Sequence, residues 1–158
     1  MSNMPDGPRV VRFLREGGTL ADLLTSRAIV AKRHREHGNL VLLKYNQIES
    51  PMGDPLVQEC RGIILDEADG WRVVSRSFDK FFNHGEGHAA SIDWGTAQVQ
   101  EKVDGSLITV YAYKGAWHAA TTGTPDGCGD VHGNDASGTW SPRAGVVWPV
   151  PPSFAGYF

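Results

Sequence analysis

Only two cysteines, Cys60 and Cys128, occur in 158 residues, and no Cys-x-x-Cys pair or Cys/His cluster accompanies them. Their scarcity argues against a disulfide framework or a structural zinc site and suits two buried or idle thiols in a reducing compartment. No apolar run approaches the roughly 20 residues that a membrane-spanning helix needs. The N-terminus, with Asp6 and Arg9 close together, lacks the apolar core of a signal peptide. A cytoplasmic protein without a membrane partner is expected. Neither sign of charge dominates, with 15 Lys and Arg against 18 Asp and Glu for a formal net charge of -3. Internal repeats and coiled-coil heptads are also lacking. What is present, 41% apolar and 21% charged residues, fits one globular domain.

The charge is unevenly distributed. Residues 1–50 hold eight Lys and Arg against five Asp and Glu, whereas the remainder holds seven against thirteen. Arg27, Lys32, Arg33 and Arg35, interleaved with His34 and His37, read either as a solvated helix face or as a phosphate-binding one.

Pro8 opens a short helix that Gly17-Gly18 stops. Thr19 caps a second helix in which Leu20, Leu23, Leu24, Ala28 and Ile29 recur at helical spacing until Gly38-Asn39. Strands are predicted over 40–45, 60–66, 71–75, 97–102, 107–113 and 117–121, with turns at Glu67-Ala68-Asp69-Gly70 and Lys114-Gly115. Two helices followed by mostly antiparallel strands make an α+β domain. From Gly123 to Phe158 the chain holds seven Gly, five Pro and a single basic residue, Arg143, with no sustained period, and reads as loop.

The sharpest motif is Glu101-Lys102-Val103-Asp104-Gly105-Ser106-Leu107. A lysine becomes a nucleophile only when neutral, and an unperturbed pKa of about 10.4 leaves under ~0.1% in that form at pH 7. Nearby cations and desolvation are therefore required. If the strand pattern persists, Lys102 and Asp104 share a face, and Gly105 lets the backbone turn or approach a ligand. Alone, the segment reads equally well as a surface hairpin turn. Arg61-Gly62 at the head of an apolar strand, and Lys80 beside Phe81 and Phe82, break that tie: they add cations for phosphates and an aromatic face for a base.

Arg61-Gly62-Ile63-Ile64-Leu65-Asp66, then Lys80-Phe81-Phe82-Asn83-x-x-Glu86, then Glu101-Lys102-x-Asp104-Gly105-Ser106-Leu107 together resemble the ATP-dependent phage RNA ligase 1 family. That family belongs to the covalent nucleotidyltransferases, with DNA ligases and mRNA capping enzymes. The resemblance covers roughly Leu40 to Thr124, and the Lys-Phe-Phe-Asn segment favours RNA ligase over its relatives. It implies an incomplete nucleotidyltransferase (ATP-grasp-like adenylation) domain, with residues 1–124 its N-terminal part and 125–158 a Gly/Pro-rich loop or truncated continuation. It also implies ATP and Mg2+ as cofactors, RNA ends, tRNA among them, as substrates, and a host cytoplasm for a phage-encoded protein. Lys102 is implied as the adenylated nucleophile and Asp104 as its orienting partner or a sealing residue. Arg61 and Lys80 are implied contacts to nucleotide or phosphates, Phe82 to adenine, with Phe81 an equally good stacking candidate by type, Glu101 to the base edge, and Gly105 is the remaining implied cofactor-binding residue.

The sequence departs from the pattern in two places. Where the family carries a lysine or arginine beside Gly-Ser, this chain has Thr121-Thr122-Gly123-Thr124, and no glutamate follows Glu101 and no lysine follows Lys114. The expectation is therefore a chain that stops mid-domain, with Ser153 to Phe158 beginning a further helix. Three readings follow: the N-terminal portion of a ligase, an inactive remnant that binds nucleotide or RNA, or half of a split enzyme completed by a second chain. His84 and His88, four apart but flanked by glycines, and Asp126, Asp130 and Asp135 are read as loop residues rather than metal ligands.

Overall fold

A computed structural model describes residues 7–102, 104–105 and 107–127. The elements are α1 (Arg9–Arg15), α2 (Leu20–Arg27), β1 (Ile29–Arg33), β2 (Leu40–Tyr45), α3 (Pro55–Glu59), β3 (Arg61–Asp66), β4 (Arg72–Ser75), β5 (Ile108–Tyr113) and β6 (Ala116–Thr121). β1 to β4 form one antiparallel sheet in sequence order, and β5 pairs with β6 in a second. The expected α+β class and mostly antiparallel arrangement are present. Among the described residues no helix is long and apolar enough to cross a membrane.

The apolar runs of β2 and β3 are explained by burial on both faces. Val41, Leu43, Ile63 and Leu65 join Val10, Val11, Leu14, Leu23, Leu56 and Val57 of the three helices in one cluster. Their alternate neighbours Leu40, Leu42 and Ile64 pack against Tyr111, Tyr113 and Ala120 of the second sheet. The result is three layers: helices, four strands, two strands. Cys60 lies in the first cluster as a buried free thiol, and burial pushes its pKa up, so its nucleophilic form is disfavoured.

Two expected elements are corrected. α2 ends at Arg27 instead of running to Gly38: Ala28 takes a left-handed conformation (φ 53°), and Ile29-Val30 enters the sheet as an edge strand. Leu24, assigned to the buried stripe, is 54% exposed, so the apolar repeat holds for only two turns before the β-branched pair takes over. Ala97 to Lys102 forms no strand. Among the described residues it has no neighbouring strand to pair with, and Val99 is 96% exposed. Between β2 and β3 lies a further short helix, α3, capped by Asp54 through the Leu56 amide. The expected helix at 153–158, together with Cys128, Asp130 and Asp135, lies outside the described residues.

α1 has no side-chain cap of its own. Instead, buried Glu59 accepts from the Val10 amide at 3.1 Å and pairs with Arg9 at 3.1 Å, placing a carboxylate on the helix N-terminus. Glu59→Ala is expected to cost about 2 kcal/mol and Glu59→Gln about half of that, read from urea midpoints.

The sheets also meet through imidazoles. His34, His37 and His118 lie in mutual ring contact at 4.9 to 5.3 Å, and His118 stacks on Tyr111 at 5.3 Å. The pKa values of His34 and His118 are lowered, first by burial and then by neighbouring imidazoles, despite the opposing pull of Glu36 on both and of Asp126 on His34. A depressed histidine pKa means that the unfolded chain takes up protons first, so stability is held above the ordinary value near 6.5 and lost as pH falls below it. Melting temperatures recorded from about pH 8 to about pH 5 are expected to fall at the acid end, and His118→Phe to flatten that fall.

Candidate active site

At one end of the first sheet lies a cavity of about 680 Å3 whose lining includes Lys32, Lys44, Arg61, Lys80, Phe81, Asn83, Glu86, Lys102 and Thr122. Each cation arrives from a different place. Lys32 and Lys44 project from β1 and β2, Arg61 from the head of β3, and Lys102 from the segment that leads into β5. Lys80 is set by its backbone amide, which donates to the Gln58 carbonyl at 2.8 Å. Among the described residues, five cations thus line the cavity and Glu86 is the one carboxylate. Both Glu86 oxygens are taken, by the Asn83 amide at 3.0 Å and the Asn83 side chain at 2.7 Å. The field inside is positive and suits an anion.

Arg61 stacks over Phe81 at 4.9 Å, and its Nη1 is buried without a hydrogen-bond partner. A buried guanidinium nitrogen left bare is costly until an anion meets it. Phe81 is exposed in the lining, whereas Phe82 turns away to Lys80 (5.2 Å) and His88 (5.5 Å). Of the two aromatics, Phe81 is the one offered to a ligand in the cavity.

Lys102 is 77% exposed on its side chain, and its Nζ contacts Asp104 Oδ1 at 3.1 Å. The two share a side even though the chain there is not a strand. Glu101 and Gly105 are exposed and are not among the cavity-lining residues, and Gly105 (φ 142°) has no atom within 4 Å of where a Cβ would sit. Val103 and Ser106 lie outside the described residues. The structure therefore gathers Arg61, Lys80 and Lys102, with Asp104 beside Lys102, and leaves Phe82, Glu101 and Gly105 at the margin.

The basic run of the sequence is divided rather than presented as one face. Arg27 pairs with Asp54 at 2.8 Å, Arg33 with Glu67 at 2.6 Å and Arg35 with Asp126 at 3.5 Å, while Lys32 enters the cavity. The sequence pattern groups Lys32 with a helix and does not single out Lys44. The available signal for Lys44 was the break of the apolar run at Lys44-Tyr45. His84 contacts Trp94 at 5.9 Å while His88 contacts Phe82, so the two do not converge. Among the described residues no group of three His, Cys, Asp or Glu is placed to hold a metal. The cavity's cations and aromatic fit a nucleotide, and Glu86 is the carboxylate among its described lining residues.

The RNA ligase family model matches residues 59–139, just over half of the chain. The chain belongs to the RNA ligase family. It is 38% identical over 125 residues to a protein named as a bifunctional polynucleotide kinase/RNA ligase from Autographa californica nuclear polyhedrosis virus, covering 73% of this chain and 18% of that one. It is 39% identical over 95 residues to RNA ligase 1 of Bacteriophage TS2126 (55% and 24%) and 28% identical over 120 residues to an RNA ligase of Rhodothermus phage RM378 (61% and 27%). The chain thus spans about a fifth to a quarter of the length of these curated relatives. No solved structure matches it.

In this RNA ligase family member, Gly62 keeps the second sheet against the cavity. Its φ is 91°, and a Cβ there would lie 3.0 Å from Thr122 Cα and 3.2 Å from the Thr122 carbonyl oxygen. Gly62→Ala meets both a disfavoured conformation and a backbone clash, and is expected to cost about 1–3 kcal/mol, measured by denaturant unfolding.

Proposed function

We propose that residues 1–124 are the N-terminal part of the adenylation domain of an ATP-dependent RNA ligase, and that Lys102 is its nucleophile. The observation that carries this reading is that Lys102 lines one cavity with Arg61 and Lys80, the cations of the other two motifs. Lys102 Nζ attacks the α-phosphorus of ATP. A P–N bond forms, the bond to the bridging oxygen breaks, and pyrophosphate departs. Arg61 and Lys80 balance the charge that grows on the phosphates as that bond lengthens, and Phe81 offers a stacking face to the base. Asp104 holds and aims the Lys102 side chain from 3.1 Å. The adenylate then passes to an RNA 5′-phosphate, and a 3′-hydroxyl displaces AMP to seal the strand.

Membership of the family supports ligation in general, and the chemistry above is the form of it that these side chains suit. Mg2+ is expected to arrive with the nucleotide, and the steps above are assigned to the side chains alone.

Incubating the chain with α-labelled ATP and Mg2+ tests the assignment. Acid-labile label on the wild-type chain and at least about a thousandfold less on Lys102→Ala is the expected result, because the variant has no amine to form the bond. Label that survives Lys102→Ala would remove Lys102 from the mechanism. A wild-type chain that stays unlabelled would favour a binding role over catalysis.

A further inference from the structure

The antiparallel register pairs Lys44 of β2 with Arg61 of β3, just past an irregularity that follows the Leu43–Ile63 pair. Lys32 pairs with Leu42 and Val30 with Lys44, so Lys32 is the diagonal neighbour of Lys44. Like charges opposite one another in a ladder repel. Elsewhere this sheet avoids such a cost by giving cations carboxylate partners, as with Arg33 and Glu67 at 2.6 Å. Among the described residues, neither Lys32 nor Lys44 has an ion pair, and Arg61 Nη1 has no hydrogen-bond partner. Three adjacent cations facing one cavity lack the counter-charge that the remainder of the sheet supplies.

The place reached by Lys44 adds a second observation. Its Nζ lies 3.6 Å from where a Cβ on Gly123 would sit. Gly123 is thus left as open space beneath an ammonium, next to Thr122 of the cavity lining. Thr121 Oγ1 accepts from the Gly123 and Thr124 amides at 3.1 Å, which fixes the turn and uses that hydroxyl internally. The Thr-Thr-Gly-Thr segment contributes no charge of its own, and the ammonium over it comes from the other sheet.

We propose that Lys44, flanked by Lys32, is a phosphate-binding residue of the cavity that takes the polyphosphate tail of the nucleotide, with Arg61 on the side nearer Phe81. The proposal rests on reading the cavity as a nucleotide site, but it concerns binding and not adenylation. A lysine suits the task because its ammonium is a compact charge on a flexible stem and can follow a phosphate that moves or leaves.

Calorimetric titration of the full chain at low salt with inorganic triphosphate, and separately with an RNA oligonucleotide bearing a 5′-phosphate or a 5′-hydroxyl, tests it. Lys44→Met is expected to weaken triphosphate binding at least about tenfold, with a smaller loss in Lys32→Met and none in Arg33→Met. The ligand-free melting temperature of Lys44→Met should equal or exceed that of the wild type, since a charge opposite Arg61 is gone. Wild-type affinity of Lys44→Met for both ligands, or a loss of affinity matched by a fall in that melting temperature, overturns the proposal. A loss confined to the 5′-phosphorylated RNA overturns the nucleotide assignment and gives the subsite to the RNA end. A chain that binds triphosphate through Lys44 yet takes no label from ATP overturns the ligase mechanism and leaves the subsite in place.

Discussion

The pairing of β2 with β3 is the constraint on which the remainder depends. Both strands are covered on both faces, so neither tolerates an unpaired charge along Leu40 to Leu43 or Ile63 to Leu65. Charges are displaced to the strand ends, and antiparallel pairing then brings those ends together. At one end Lys44 meets Arg61. At the other, Asp66 is buried, which raises its pKa, but bonds from Asn39, Tyr113 and the Ala68 amide and the charge of Arg72 outweigh that and hold it below the ordinary value. The sheet thus has a satisfied anionic end and an unsatisfied cationic end, and the cavity forms at the second.

The second sheet completes the site by docking on the first. Tyr111, Tyr113 and Ala120 supply the apolar contact, and Tyr113 also donates to Asp66 at 2.9 Å. Lys102 precedes β5 in the chain and lines the same cavity as Arg61 and Lys44, so seating β5 on β2 and β3 helps to bring Lys102 to the cationic end. Residues 76–107 leading there contain no regular element among those described, and Phe78, Trp94 and Val99 are exposed. With few buried contacts, that stretch adds little to the cost of local opening, and the rigid part of the site is the sheet that holds Arg61 and Lys44.

Much of this was legible in the chain itself. The apolar runs at 40–45 and 60–66 have no other economical reading, the Lys114-Gly115 turn marks its hairpin, and the three motifs point to one family. The misread elements fail for physical reasons. Leu20 to Ile29 satisfies a helical repeat, but Ala28 reverses the chain and Ile29-Val30 gains a ladder along β2. A strand at 97–102 needs a partner, which local alternation cannot supply. Register, and not composition, makes Lys32 and Lys44 neighbours of Arg61, so nothing in the linear pattern marks them as such. Phe81 and Phe82 were equivalent by type, and only the turn of the backbone between them sends one to the cavity and the other to His88.

Net charge conceals how the cations are used. Of the arginines, Arg9, Arg27, Arg33, Arg35, Arg72 and Arg76 are all paired with carboxylates, where a planar fork gains from a fixed partner. The chain has five lysines, and four of them, Lys32, Lys44, Lys80 and Lys102, line the cavity. Lys114 instead lies over Tyr113 at 5.4 Å. Six arginines are thus tied to carboxylates while four lysines face the cavity, where they are joined by Arg61, which stacks on Phe81 and leaves one nitrogen bare. A balance of -3 over the whole chain and a positive cavity are compatible because five cations and, among the described residues, a single carboxylate, Glu86, line the cavity. An anion approaching this protein is drawn by local geometry and not by total charge, so its binding should depend on individual lysines far more than on the formal charge of the chain.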